Sequence, residues 1–291
     1  MAACRFVSTE HPHPTPSRPV LRPGLSVYRR DDTHLQVGLD HPVLVLPDSD
    51  GIRGLLRDLE IGEGLGLLSP DAGVALATLL DADLVVDRTE VLAARDDRSG
   101  RELAALAAHG PHASARVKAR ATCQVALHSP EPWRTVAAER LTTAGIPLAR
   151  AEEPGTVTLV VSTGEPPRSL LDGFTREDRP HLVLTLYADR ARLGPFVAPG
   201  ATACLRCLDA HLGESDPRRA VVLQQLEHRV APTPCDSLLG QAAVALAVRE
   251  LMSYAEGDRP ATWSATLTLS AALGEPVRTW PRHPHCGCSW G

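Results

Sequence analysis

The sequence predicts an α/β protein with a small strand-first module ahead of a degenerate Rossmann-like domain, and three observations predict it. Three short β-like runs precede two amphipathic segments in the first third of the chain. A regular β-α-β alternation then begins near residue 120. Two cysteine clips, C-x-x-C and C-x-C, stand far apart in the second half. The 291 residues suffice for two domains.

Residues 1–22 hold prolines and histidines without apolar periodicity and are expected to be a disordered tail. From 23 to 92 the pattern changes. "LSVYRR", "HLQVGL" and "PVLVLP" read as strands separated by the turn signals "DDT" and "DHP". "SDGIRGLLRDLE" then predicts a helix capped by Ser49, with Ile52, Leu55, Leu56 and Leu59 on one face. A second helix follows Ser69, with Val74, Ala77, Leu80 and Leu84 as its expected apolar face. Three strands followed by helices suggest a winged-helix-like module; the alternative is an arm that only packs on the second domain. Residues 93–118 read as a linker with a short helical stretch.

The second domain, 119–291, opens with the strand "TCQVALHS", the helix "PEPWRTVAAERLTTAG" closed by Gly145, and the strand "TVTLVVST". The helix "PPRSLLDGFTRE" and the strand "HLVLTLYA" follow. Alternation of this kind predicts a mostly parallel sheet covered by helices. "GPFVAPG" leads into the first cysteine clip. The apolar helix "SLLGQAAVALAVRELMSYA", the β-like "ATWSATLTLS" and the C-terminal "EPVRTWPRHPHCGCSWG" complete the chain.

Composition narrows the function classes. A formal net charge of −5 without a basic cluster excludes a dedicated nucleic-acid binder, which must displace counterions. No run of about 18 apolar residues exists to span a membrane. The N-terminus lacks the apolar core of a signal peptide, so the expected location is cytoplasmic. There, seven cysteines suggest a metal or a reactive thiol rather than disulfides.

Cys204 and Cys207, paired with the remote Cys286 and Cys288, supply four thiolates in two clips. Tetrahedral zinc takes that set, and four sulfurs leave no open position for water, so the site is expected to be structural. A redox pair at Cys204–Cys207 and unligated core thiols are the alternatives. Cys123 lies in a predicted buried strand. Cys4 falls in the tail. Cys235 precedes a helix, where a thiol can be activated, but a core or surface thiol is the preferred reading. His211, His283 and His285 flank the clips and could replace or support a sulfur, but solvated histidines are the preferred reading. The turn after the first strand of the sheet, "ALHSPEPWRT", has no glycine and two prolines, Pro130 and Pro132. It therefore lacks the amide cradle that a nucleotide phosphate needs. ATP is not expected, and no catalytic residue is assigned.

The runs "GPFVAPGATACLRCLDAHLGESDP", "CDSLLG" and "RTWPRHPHCGC" resemble the cyclodehydratase-associated ThiF-like proteins of thiazole/oxazole-modified microcin (TOMM) biosynthesis. The resemblance covers about residue 120 to the end, and Cys204, Cys207, Cys286 and Cys288 match that family's zinc ligands. The front, from "LRPGLSVYRRDD" to "DLVVD", is similar to a PqqD-like peptide-recognition winged helix, although "IGEGLGLLS" stands where a middle helix belongs. The resemblance implies a non-catalytic scaffold that binds the leader of a ribosomal precursor peptide and assists a YcaO-type cyclodehydratase. The alternative is an ATP-dependent ThiF-like adenylating enzyme acting on a peptide or carrier-protein C-terminus. A homodimer is a further expectation from the same relatives. A leader strand would add to the edge strand at Val43, Leu44, Val45 and Leu46, beside the groove that holds Leu76 and Leu80. The linker or the tail could cover the same edge.

Overall fold

The computed structural model describes residues 16–39, 43–89, 113–150, 153–226, 234–271 and 276–289. The chain divides into two compact units, Ser8–Val117 and, for the greater part, Lys118–Gly291.

In the first unit, β2 (Val27–Arg29), β3 (His34–Val37) and β4 (Leu44–Pro47) form an antiparallel meander in that order. β1 (Pro19–Leu21) pairs instead with β5 (Val85–Asp87) as a separate ribbon. Part of the expected tail is therefore strand. Val20 and Leu21 are buried, and the Asp87 carboxylate accepts hydrogen bonds from the Ser17 amide and hydroxyl. Pro19 is tolerated because it opens a strand, where its missing N–H costs least.

Helix α1 (Asp50–Ile61) starts where the Ser49 hydroxyl accepts the Ile52 amide at 3.2 Å, and it buries Ile52, Leu55, Leu56 and Leu59 as the periodicity predicts. It ends at Gly62 in the left-handed region (φ 72°), and a Cβ there would lie 2.5 Å from Val20. In α2 (Pro70–Asp81) the expected face is out of phase. Ala72, Ala75 and Leu79 are buried, Val74 is 69% exposed, and Leu80 only borders the core. The small Ala72 and Ala75 side chains let α2 approach α1 more closely than the Val74 face would.

In the second unit, α3 (Ala113–Thr122) precedes β6 (Val125–His128), α4 (Trp133–Thr143), β7 (Val157–Thr163), α5 (Arg168–Arg176), β8 (His181–Leu186) and β9 (Arg190–Val197). Then come α6 (Leu205–Ser215), α7 (Arg219–Leu226), α8 (Ser237–Ala255), β10 (Ala265–Ser270) and β11 (Arg278–Thr279). The sheet order is β11-β10-β9-β8-β7-β6. Only β6, β7 and β8 are parallel; β9, β10 and β11 each pair antiparallel, so the sheet is mixed rather than mostly parallel. The reason is a tight turn in which the Tyr187 amide bonds Arg190, folding β9 straight back on β8. β9 escapes sequence reading because Gly194-Pro195 imitates a turn signal. Gly194 is needed there: its φ is +93°, and a Cβ would meet the Ala265 carbonyl at 2.3 Å.

Helices cover both faces. Leu159, Val161, Leu182 and Leu184 pack with α4 and α8, while Val160 and Val183, on the opposite face, pack with α5 and α6. Trp133 lies against Gly240 of α8. α3 lies mostly within the stretch expected to be linker; the rest of that linker falls outside the described residues. Among the described residues no helix is long and apolar enough to cross a membrane.

Candidate metal centre and the sheet crevice

The four clip cysteines meet. Cys204 is the N-cap of α6 and Cys207 lies in its first turn, so one helical turn aims both sulfurs the same way. The second clip arrives on the segment after β11, which Trp280 and Arg282 tie in. The Trp280 amide donates to Ser264 O and its indole to Thr266, while the Ser264 hydroxyl accepts the Ala203 amide next to the first clip. Arg282 donates to both Gly200 O and Cys288 O at 2.7 Å, bridging the two clips. None of these braces has a recognisable sequence signature.

The Sγ atoms lie within 4.8 Å of one another, with separations of 3.8 Å (Cys204–Cys207), 3.6 Å (Cys204–Cys286) and 3.3 Å (Cys207–Cys288). Sulfurs about 2.3 Å from a central ion would stand about 3.8 Å apart in a tetrahedron. A disulfide would need about 2.05 Å, so these distances are not those of a redox pair in its oxidised form. The Cys204 thiol donates to Cys207, and with the backbone amides of His283 and Cys204 it brings Cys207 down to about 4. Donating that proton pushes Cys204 far up, and burial pushes Cys286 up to about 12. Four mostly buried sulfurs converge on one point, and a cation is the natural counterpart to thiolates gathered so closely. The donor set fits a thiophilic ion such as zinc.

The remaining cysteines are unremarkable. Cys123 is core. Cys235 is raised by burial and by the Asp236 carboxylate, the reverse of the activation its position before a helix suggested. Cys4 lies outside the described residues.

The crevice at the carboxyl ends of β6 and β7, where open α/β sheets bind ligands, is a cavity of about 340 Å³ lined by His128, Ser129, Arg134, Ser162 and Thr163 among others. Several of the groups at its mouth are engaged within the chain. Pro132 has no N–H, the Arg134 amide bonds Pro130 O, and Arg134 Nη1 donates to Leu127 O. The Thr135 amide (3.4 Å) and hydroxyl (2.9 Å) donate to the Glu131 carboxylate, so the chain's own anion sits at the start of α4. After β7, Glu165 is held by Arg168, Arg192 and Tyr187. Against burial, which would raise it, the neighbouring Arg192 and Arg168 guanidiniums hold Glu165 at about 2. Neither Glu131 nor Glu165 stood out in the sequence, because their partners are remote or ambiguous there.

No protein-family model and no curated protein matches this sequence. Solved structures do. E. coli MccB with ATP matches at TM-score 0.70 and 11% identity, over 93% of this chain and 99% of that one. MccB with AMPCPP and MccA matches at TM-score 0.71 and 11% identity, over 94% and 99%. The heterocyclase TruD matches at TM-score 0.72 and 17% identity, over 94% of this chain and 43% of that one. The fold is that of MccB. The fold expected from the sequence resemblance is consistent with these matches, and at these identities the likeness concerns the fold alone.

The candidate peptide residues divide by face. Leu46 is buried, and Leu44, Leu76 and Leu80 pack partly buried against the same core. Leu46 is therefore a core residue rather than a contact surface. Val45 is 40% exposed on the other side of the strand, and β4 pairs only with β3 among the described residues.

Proposed function

We propose that this chain is a non-catalytic scaffold, stapled by zinc at Cys204, Cys207, Cys286 and Cys288. It binds the leader of a ribosomal precursor peptide and presents it to a YcaO-type cyclodehydratase in thiazole/oxazole-modified peptide biosynthesis. The observation that carries the non-catalytic reading is the start of α4: two prolines and the Glu131 carboxylate stand where a nucleotide phosphate would need free amides. The MccB-like fold supports a peptide-modification setting, since that fold is seen with MccA in one structure and in a heterocyclase in another.

The front unit serves as the PqqD-like recognition module. Register decides which β4 groups are free. The Asp48 amide bonds Thr33 O, so residues of even number in β4 point their amides at β3 and those of odd number point outward. Val43 and Val45 can each give and take a hydrogen bond at the open edge, and pairing ends at Pro47. A leader strand would add there, with selectivity from side chains reaching the border formed by Leu44, Leu76 and Leu80.

An adenylating enzyme is the second reading, favoured by the MccB structure with ATP. Isothermal titration with ATP and magnesium, together with pyrophosphate exchange, decides between them. The scaffold predicts neither heat nor exchange; micromolar binding would overturn it.

A further inference from the structure

Beside the sulfur cluster stands a second group of ligating side chains. His211 and Glu214, one turn apart on α6, face His283 from the segment that carries the second clip; one ligand atom from each lies within 4.8 Å of the others. His283 Nε2 is 3.1 Å from Glu214 Oε1, and His211 Nδ1 is 3.8 Å from the same oxygen. Three donors about 2.1 Å from an ion would stand about 3.4 Å apart in a tetrahedral arrangement, so both separations are close to what an ion needs.

The hydrogen bonds say which atoms carry protons. His211 Nε2 lies 3.0 Å from the Pro281 carbonyl, which can only accept, so Nε2 carries a proton and Nδ1 is the ring nitrogen left for a ligand. Nδ1 faces the Glu214 carboxylate across a gap too wide for a hydrogen bond. A histidine that binds a metal through one nitrogen while donating its other N–H to a backbone carbonyl has this arrangement. His283 accepts the His285 amide at Nδ1 and donates Nε2–H to Glu214. To ligate through Nε2, the ring carries its proton on Nδ1 instead and gives up the His285 contact.

We propose that His211, Glu214 and His283 form a second divalent-cation site, of two imidazoles and one carboxylate, for a borderline ion such as zinc, cobalt(II) or nickel(II). The site is distinct from the four-sulfur centre in donor type. Glu214 is 67% exposed, so the ion has a path from solvent and keeps positions for water or an anionic oxygen. Three ligands, the carboxylate among them exposed, imply weaker, exchangeable binding compared with the four-thiolate set.

The test uses the full chain with its sulfur site filled by zinc, and cobalt(II) as the probe. A second equivalent should bind with visible d–d bands and without sulfur-to-cobalt charge transfer. Glu214→Gln and His211→Ala should each weaken it about tenfold or more while leaving one zinc per chain. Glu214→Gln changes an exposed side chain and keeps the test valid should His211→Ala fail to fold. Binding that stays at one equivalent overturns the proposal. So does cobalt that appears only with sulfur charge-transfer bands, or a second equivalent that Glu214→Gln leaves unchanged.

Discussion

Proline scanning of β4 tests the register on which the peptide edge depends. Leu44 and Leu46 direct their amides at β3, whereas Val45 directs its amide outward, in the same phase as the native Pro47. Leu44→Pro would remove the Leu44 donor and leave the Val37 carbonyl unpaired, a loss of about 1–3 kcal/mol. It would also withdraw a partly buried leucine, adding about 1–2 kcal/mol and bringing the total to about 2–5 kcal/mol. Val45→Pro breaks no ladder bond and removes a side chain that is 40% exposed, so its cost should stay within about 1 kcal/mol. Urea denaturation followed by circular dichroism measures both, and amide exchange reads the unsubstituted protein directly. The Val45 amide should exchange fast while those of Leu44 and Leu46 are protected. Equal destabilisation by the two prolines, or a protected Val45 amide, would refute the assignment of the open edge.

Zinc should co-purify at about one ion per chain in the sulfur site, and Cys207→Ser or Cys288→Ser should lose it, as elemental analysis would show. The unfolding midpoint should drop with it, since binding energy at structural sites is folding energy, on the order of 10 kcal/mol in small fingers. Gly240→Ala would place a Cβ 2.1 Å from the Trp133 ring and should destabilise the second unit by about 1–3 kcal/mol, measured by thermal unfolding. Burial holds His181 neutral, down to about 4 from 6.5, so the unfolded chain takes up the proton first. Stability should be full above about pH 6.5 and fall by on the order of 3 kcal/mol as the pH drops to 4. His181→Leu should flatten that slope in acid titrations. The outer face of α8 exposes Leu238, Ala242, Ala245 and Leu246, and pairing through it would give a homodimer; light scattering showing only a 31.1 kDa species would remove that expectation.

Legibility followed locality. Ser49 and the Ile52–Leu59 face of α1 were plain because cap and periodicity sit within one helix. The clips were visible as motifs, and four cysteines are few enough to pair by eye. β1 was hidden because its partner, β5, lies across the whole module and its first residue is a proline. β9 was hidden by Gly194-Pro195, whose turn signal is overridden by neighbours on both sides of the strand. The closure of the sheet crevice was half legible: the missing glycines and the prolines could be read, but Glu131 accepting from Thr135 could not, since an acidic residue before a helix has many uses.

The two clips also change what unfolding means for this chain. An ion gripped at Cys207 and Cys286 closes a loop that contains α7, α8 and β10, about 80 residues if counted along the chain. Should the thiolates keep that ion in denaturant, the unfolded chain is a ring with two tails rather than an open coil. By the loop-closure relation for a cross-link of about 80 residues, it forfeits about 4–5 kcal/mol of conformational freedom. A chelator would then do more than empty a site: it would cut the ring, raise the entropy of the denatured ensemble and steepen the dependence of unfolding on denaturant by letting that ensemble expand.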